Sequence, residues 1–179
     1  MDNKLQKIFI IAGKARQGKD TIGEFIKEYY KDLKVLHLPN NYYMRDYAKR
    51  ITDWDGTDDT KPRELLLELA DYARNNIDEH FYIKRTIDDI KVLSNYFDIV
   101  LITDARFPYE IELPKNEFNK CISIHIERPD FESELSSDNK KHATETSLDN
   151  FDNYDYKIIN DGTLDDLKNK VINLLDNLN

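Results

Sequence analysis

Apolar positions along the chain follow two rhythms. Ile8-Phe9-Ile10-Ile11 is an unbroken apolar run that ends in a glycine-bearing loop. Such a run fits a strand buried on both faces, as in a parallel sheet. From Thr21 the period becomes helical, with Ile22, Phe25, Ile26 and Tyr29 on one face. Val35 to Leu38 predicts a second strand, stopped by Pro39-Asn40-Asn41. A helix is expected over Tyr42 to Ile51 and a loop over Asp53 to Asp59. Pro62 is placed to open the next helix, whose apolar stripe is Leu65, Leu66, Leu69, Tyr72 and Ala73. Another helix, from Phe81 to Leu93, carries Phe81, Ile87, Ile90 and Leu93.

The second half repeats the alternation. Asp98 to Asp104 predicts a third strand with a carboxylate at its exit. Pro108 to Leu113 leaves room only for a short helix, because Pro114 is expected to end it. Ile122 to Ile126 reads as a fourth strand and Tyr156 to Ile159 as a fifth. Between them, residues 129–147 are polar, a surface excursion or lid. Asn160-Asp161-Gly162 is a turn, and Thr163 with Asp166 three residues on can cap a final helix. Its stripe is Leu164, Leu167, Val171, Leu174, Leu175 and Leu178. Strands alternating with helices predict an α/β fold with a parallel sheet, one domain over residues 1–179.

Composition narrows the class. With 40% hydrophobic residues, 8 Phe, 11 Tyr and 1 Trp, the chain has ample core material, which excludes a disordered protein. No apolar run approaches the roughly 18 residues of a membrane span, and Ile8 to Ala12 is too short for a signal-peptide core. One cysteine, Cys121, leaves no internal disulfide and no cysteine-based zinc site. The expected address is cytoplasmic. A net charge of −9 argues against a nucleic-acid-coating protein. The charge is uneven: residues 1–50 hold 11 Lys and Arg against 6 Asp and Glu, and residues 51–179 hold 15 against 29. A basic N-terminal segment in an acidic chain suits an anionic ligand, although such asymmetry also arises by accident.

The chemistry concentrates in Gly13-Lys14-Ala15-Arg16-Gln17-Gly18-Lys19-Asp20-Thr21. It follows a predicted strand and opens a predicted helix, as a phosphate-binding loop must. Its glycines let backbone N–H groups turn inward, the helix start is positive, and Lys19 would reach the β- and γ-phosphates. Asp20 stands where the pattern wants Ser or Thr, with Thr21 one step later. The bland alternative is a glycine-bearing turn with solvated basic residues. Asp104 and Arg106 leave the third strand at the end where parallel sheets bind ligands. There a carboxylate can hold Mg²⁺ or its waters and an arginine can fork onto a phosphate; a cap and a surface ion pair would also explain the pair. Arg45, Lys49 and Arg50 follow the second strand and are either phosphate ligands or solvated helix residues. Tyr42, Tyr43, Trp54 and Phe81 could stack on a base or pack in the core.

Several segments together resemble the deoxynucleoside monophosphate kinases of the phage and bacterial type. They are Gly18 to Thr21, Asp104-Ala105-Arg106-Phe107-Pro108 with Glu110, and Ile126-Glu127-Arg128-Pro129. His142 to Asp149 and Tyr156 to Leu164 continue the likeness over nearly the whole chain. Ala105 stands where that family usually has valine and Tyr109 where it usually has asparagine. The resemblance implies a three-layer P-loop fold with five parallel strands in the order 2-3-1-4-5 and a lid near 129–147. It implies ATP- and Mg²⁺-dependent phosphorylation of a nucleoside or deoxynucleoside monophosphate to the diphosphate. Lys19, Arg106, Arg128 and Asp104 would serve transfer, and Asp20, Thr21 and Asp104 the metal. Gly13 through Thr21, with Asn160 and Gly162 against adenine, would hold ATP, while Arg45, Lys49 and Arg106 would hold the acceptor. Lys140, Lys141 and His142 would be lid residues or a solvated charge run. No membrane or nucleic-acid partner is expected, and both a monomer and a homodimer stay open. The alternatives are a kinase for another small molecule, such as dephospho-coenzyme A, and a nucleotide-binding regulatory protein without turnover.

Overall fold

Ile8 and Ile10 face one side of a sheet, Phe9 and Ile11 the other, and all four are fully buried. Burying such a side chain contributes roughly 1.5–3 kcal/mol, so this short run organises both halves of the core. The computed structural model describes residues 4–57, 59–129, 131 and 141–178. In chain order its elements are β1 (Lys7–Ala12), α1 (Lys19–Tyr29), β2 (Val35–His37), α2 (Tyr42–Ile51), α3 (Arg63–Asn76) and α4 (Phe81–Leu93). They continue with β3 (Ile99–Ala105), α5 (Tyr109–Glu117), β4 (Cys121–Glu127), α6 (Ala143–Thr146), β5 (Tyr156–Ile159) and α7 (Leu164–Asp176).

The sheet has five strands in the order β2-β3-β1-β4-β5, all paired in parallel. On one face Phe9, Ile11, Ile99 and Leu101 pack against Ile22 and Ile26 of α1 and Leu167 and Val171 of α7. On the other, Ile8, Ile10, Val100 and Ile102 meet Ile90 of α4 and Ile111 of α5. Parallel strands end on the same edge, so the segments after β1, β2, β3, β4 and β5 converge there. Thr163 and Asp166 form the reciprocal cap expected at the start of α7.

Three expectations are corrected. Pro114 does not end α5, which runs on to Glu117. The proline is buried, and its carbonyl accepts the amide of Phe118 at 2.8 Å; packing offsets the one helical hydrogen bond its ring nitrogen cannot donate. Tyr72 is 66% exposed, and α3 buries Leu66, Ala70 and Ala73 instead. Leu164 is exposed at the first turn of α7. Among the described residues no helix is long and apolar enough to cross a membrane.

Candidate active site

The loop between β1 and α1 is built around two glycines at positive φ. Gly13 has φ 152°, and a Cβ there would come within 2.5 Å of the Ile126 carbonyl oxygen. Gly18 has φ 110° and caps α1 without a side-chain hydrogen bond, so the first amides of that helix are left for a ligand. Arg16 sits at φ 60°, a conformation that costs a non-glycine residue about 1–3 kcal/mol and is characteristic of ligand clamps. The Lys19 ammonium donates to the Lys14 carbonyl at 2.7 Å across the loop. Its pKa is lowered to about 7, first by burial and then by the Arg106 guanidinium, against the pull of Glu145, Asp20 and Asp104. Burial thus outweighs three nearby carboxylates in disfavouring the charged ammonium.

Two carboxylates flank this loop. Asp20 accepts the Thr103 hydroxyl at 3.0 Å. Because that hydroxyl has one proton to give, His37 Nε2, at 2.7 Å from the same oxygen, is the donor to it. Asp104, near the end of β3, accepts the backbone N–H groups of Asn40 at 2.8 Å and Asn41 at 3.1 Å, one on each oxygen. Burial still pushes its carboxyl up from the usual range. Glu110, 4% exposed, accepts the amides of Arg106 at 2.6 Å and Phe107 at 3.1 Å and so fixes the turn that aims Arg106. Burial, then repulsion from Asp104, raises its pKa to about 7.

A cavity of about 170 Å³ opens beside Asp104 and Arg106. Its cations are Lys61, Arg63, Arg74 and Arg106; Met44, Leu66, Leu67, Ala70 and Tyr82 add apolar wall. Arg74 is held over the Phe107 ring at 4.7 Å and pairs with Asp71 at 3.1 Å. Asn40 lines the same cavity and is only 3% exposed, yet neither its amide nitrogen nor its amide oxygen has a partner among the described residues. Buried polar atoms left so are expected to meet a ligand or water.

A second cavity, of about 360 Å³, lies on the other side of the loop and is lined by Gly13, Lys14, Gln17, Arg128, Phe131 and Lys157, among others. Arg128 leaves β4 and stacks over Phe131 at 4.8 Å. The Asn160 amide donates to the Gln17 carbonyl at 3.0 Å, tying the exit of β5 to the loop. A Cβ at Gly162 would meet Asp166 Oδ2 at 2.7 Å, the oxygen that accepts the Thr163 amide in the cap of α7.

The expected site residues therefore divide. Lys19, Asp20, Asp104 and Arg106 are brought together, as the shared electrostatics of Lys19 require. Thr21, half-buried in the first turn of α1, comes directly after Asp20 in the chain. Arg45 and Lys49 line neither cavity; both stack on Trp54, at 5.1 and 5.8 Å, and Arg45 also donates to the Gly56 carbonyl. Trp54 is buried with Ala48 and Leu66, so it is a core residue. His142 Nε2 pairs with Asp71 at 2.9 Å and its Nδ1 accepts the Thr144 amide at the start of α6; Lys140 lies outside the described residues. Three further residues line the site: Arg74, Asn40 and Glu145. Glu145 lies within the His142 to Asp149 segment, while Arg74 and Asn40 carry no local signal.

Comparison with known families decides the class. The model of the deoxynucleotide monophosphate kinases matches residues 54–171. The chain belongs to that family. Solved structures similar to this kinase include the Mycobacterium tuberculosis APS kinase CysC in complex with AMPPNP and APS, with TM-score 0.60 and 14% identity over 96% of this chain and 98% of that one. A sugar kinase from Janibacter sp. HTCC2649 gives TM-score 0.60 at 10% identity, covering 96% and 95%. The shikimate kinase of Aquifex aeolicus vf5 gives 0.53 at 12%, covering 95% and 96%. At such identities the likeness concerns the fold, and the kinase shares its strand order with P-loop kinases. No sequence among curated proteins matches it.

Proposed function

We propose that this kinase transfers the γ-phosphoryl group of ATP to a deoxynucleoside monophosphate, giving the diphosphate. The observation that carries the reading is the cavity beside Arg106, where four cations, an apolar wall and the unpartnered Asn40 amide meet. A monophosphate has those three parts: an anion, an apolar base face and a polar base edge. The reaction needs no covalent help from the protein; alignment and charge neutralisation suffice. Lys19 and the loop amides hold the polyphosphate, and Arg106, at the junction, faces the transferring group. Arg74 and Arg63 replace Arg45 and Lys49 as ligands of the acceptor phosphate. Arg128 brings charge over the second cavity, where ATP is placed with adenine against Asn160 and Gly162; the lid expected over residues 129–147 lies largely outside the described residues.

The donor set fits a magnesium ion that arrives with the nucleotide. No group of three His, Cys, Asp or Glu side chains is poised for a metal among the described residues, and Mg²⁺ on phosphates needs only one or two carboxylates. Asp20, Thr21 and Asp104 would hold it or its waters. Bound there, it neutralises charge on the phosphates.

The test is a screen of acceptors with ADP release as the readout: dTMP, dGMP, dCMP, dAMP, the ribonucleotides, dephospho-coenzyme A and shikimate. Turnover confined to deoxynucleoside monophosphates is the expected result. Turnover only on dephospho-coenzyme A or shikimate would replace the acceptor. Tight ATP binding with no turnover on any of them would favour the regulatory alternative.

A further inference from the structure

Glu145 joins the two halves of the site. It belongs to the single-turn helix α6, and its side chain is 12% exposed. One carboxylate oxygen accepts the backbone N–H of Ala15, in the phosphate-binding loop, at 2.9 Å. The other accepts a guanidinium N–H of Arg106 at 2.7 Å. Among the described residues, Thr144 and Glu145 alone line both cavities. The carboxylate thus stands in the partition between the loop side and the acceptor side.

A loop amide and an arginine fork converging on one point are the donors that hold a phosphoryl group. A carboxylate has the same demand, acceptor oxygens carrying negative charge. A group passing from one cavity to the other must cross the partition that Glu145 occupies. We propose that Glu145 is an internal surrogate for the transferred phosphoryl group: its carboxylate fills the transfer point in the nucleotide-free kinase and is displaced when nucleotide binds. The proposal rests on the kinase reading above. Displacement is coupled to the acceptor side by a chain of contacts. His142, which caps α6, is held by Asp71 of α3, and Asp71 also pairs with Arg74 in the acceptor cavity.

The surrogate and an incoming polyphosphate compete for Ala15 and Arg106, so apparent affinity is reduced by the fraction of molecules in which the carboxylate is seated. Calorimetric titration of the full chain with Mg²⁺–AMPPNP, and separately with tripolyphosphate, compares wild type with E145Q and E145D. E145Q removes the charge. E145D keeps it but is one methylene too short to span both partners. Both variants should bind each probe more tightly than wild type, E145Q on the order of tenfold. If E145Q fails to fold, E145D alone carries the comparison. Equal or weaker binding in a folded variant overturns the proposal and makes Glu145 a support for Arg106. Tighter tripolyphosphate binding together with no transfer to any monophosphate would keep the anion site and remove the substrate reading instead.

Discussion

Asp104 Oδ1 accepts the backbone N–H of Asn40 at 2.8 Å, across 64 residues of chain. That bond, with its neighbour to Asn41, fastens the segment after β2 to the end of β3 and sets one wall of the acceptor cavity. The same carboxylate is a proposed metal ligand, so a change there has two separable effects. Asp104→Asn turns an amide NH₂ toward one of the two N–H donors. Leaving a buried donor unmet costs about 1–3 kcal/mol, which should appear as a lower midpoint of thermal unfolding. The Mg²⁺ concentration needed for half-maximal activity should rise as well. An unchanged magnesium requirement in the folded variant would remove Asp104 from the metal site.

Lys19 gives a pH prediction. With its pKa lowered to about 7 by burial and Arg106, it is mostly neutral in the free kinase at about pH 8. A polyphosphate beside it favours the charged form and raises that pKa. Binding of Mg²⁺–AMPPNP near pH 8 should therefore take up a proton, and apparent affinity should fall as pH rises further. Calorimetry in two buffers of different ionisation enthalpy reads the uptake directly. Lys19→Ala should abolish it and lower kcat by about 10²- to 10³-fold, the cost of removing one preorganised donor. A variant that retains the proton uptake would mean that another group is responsible.

Arg74 separates the proposed acceptor site from the one expected from sequence. Arg74→Ala should raise the acceptor KM by about tenfold or more, the worth of a hydrogen bond to a charged group, with a smaller effect on the ATP KM. Arg45→Ala should leave the acceptor KM nearly unchanged, since Arg45 stacks on Trp54 outside the cavity lining. The opposite pattern in steady-state kinetics would return the acceptor phosphate to α2.

Arg128 gives a kinetic prediction. It lines the second cavity and stacks on Phe131. If its charge acts as the phosphoryl group moves, Arg128→Ala should lower kcat more than it weakens AMPPNP binding. Loss of nucleotide affinity alone would make it a ground-state contact.

Much of the fold was legible because it depends on local pattern. Helices α2 and α4 and strand β5 run over the residues that periodicity predicts. Pro114 misled because its neighbours' burial offsets a local rule, and Tyr72 and Leu164 misled because a stripe read on one helix cannot tell which face its partners cover. The phosphate-binding loop was legible for a similar reason, its glycines, lysine and following helix being contiguous. The partners of the loop were not. Glu145 meets Ala15 across 130 residues and Arg106 across 39, and His142 meets Asp71 across 71. Asn40 stands out only in the fold, where its buried amide has no partner among the described residues. Arg45 and Lys49 carry positive charge after the second strand, and both stack on Trp54, which is close in sequence.

The most direct measurement follows the phosphoryl group itself. Incubated with Mg²⁺ and ATP labelled at the γ-phosphate, the kinase should move the label onto a deoxynucleoside monophosphate, yielding labelled diphosphate in step with ADP. Chelation of Mg²⁺ and Lys19→Ala should each stop the transfer. Label that remains in ATP with every monophosphate, or that leaves only as inorganic phosphate, would contradict the account.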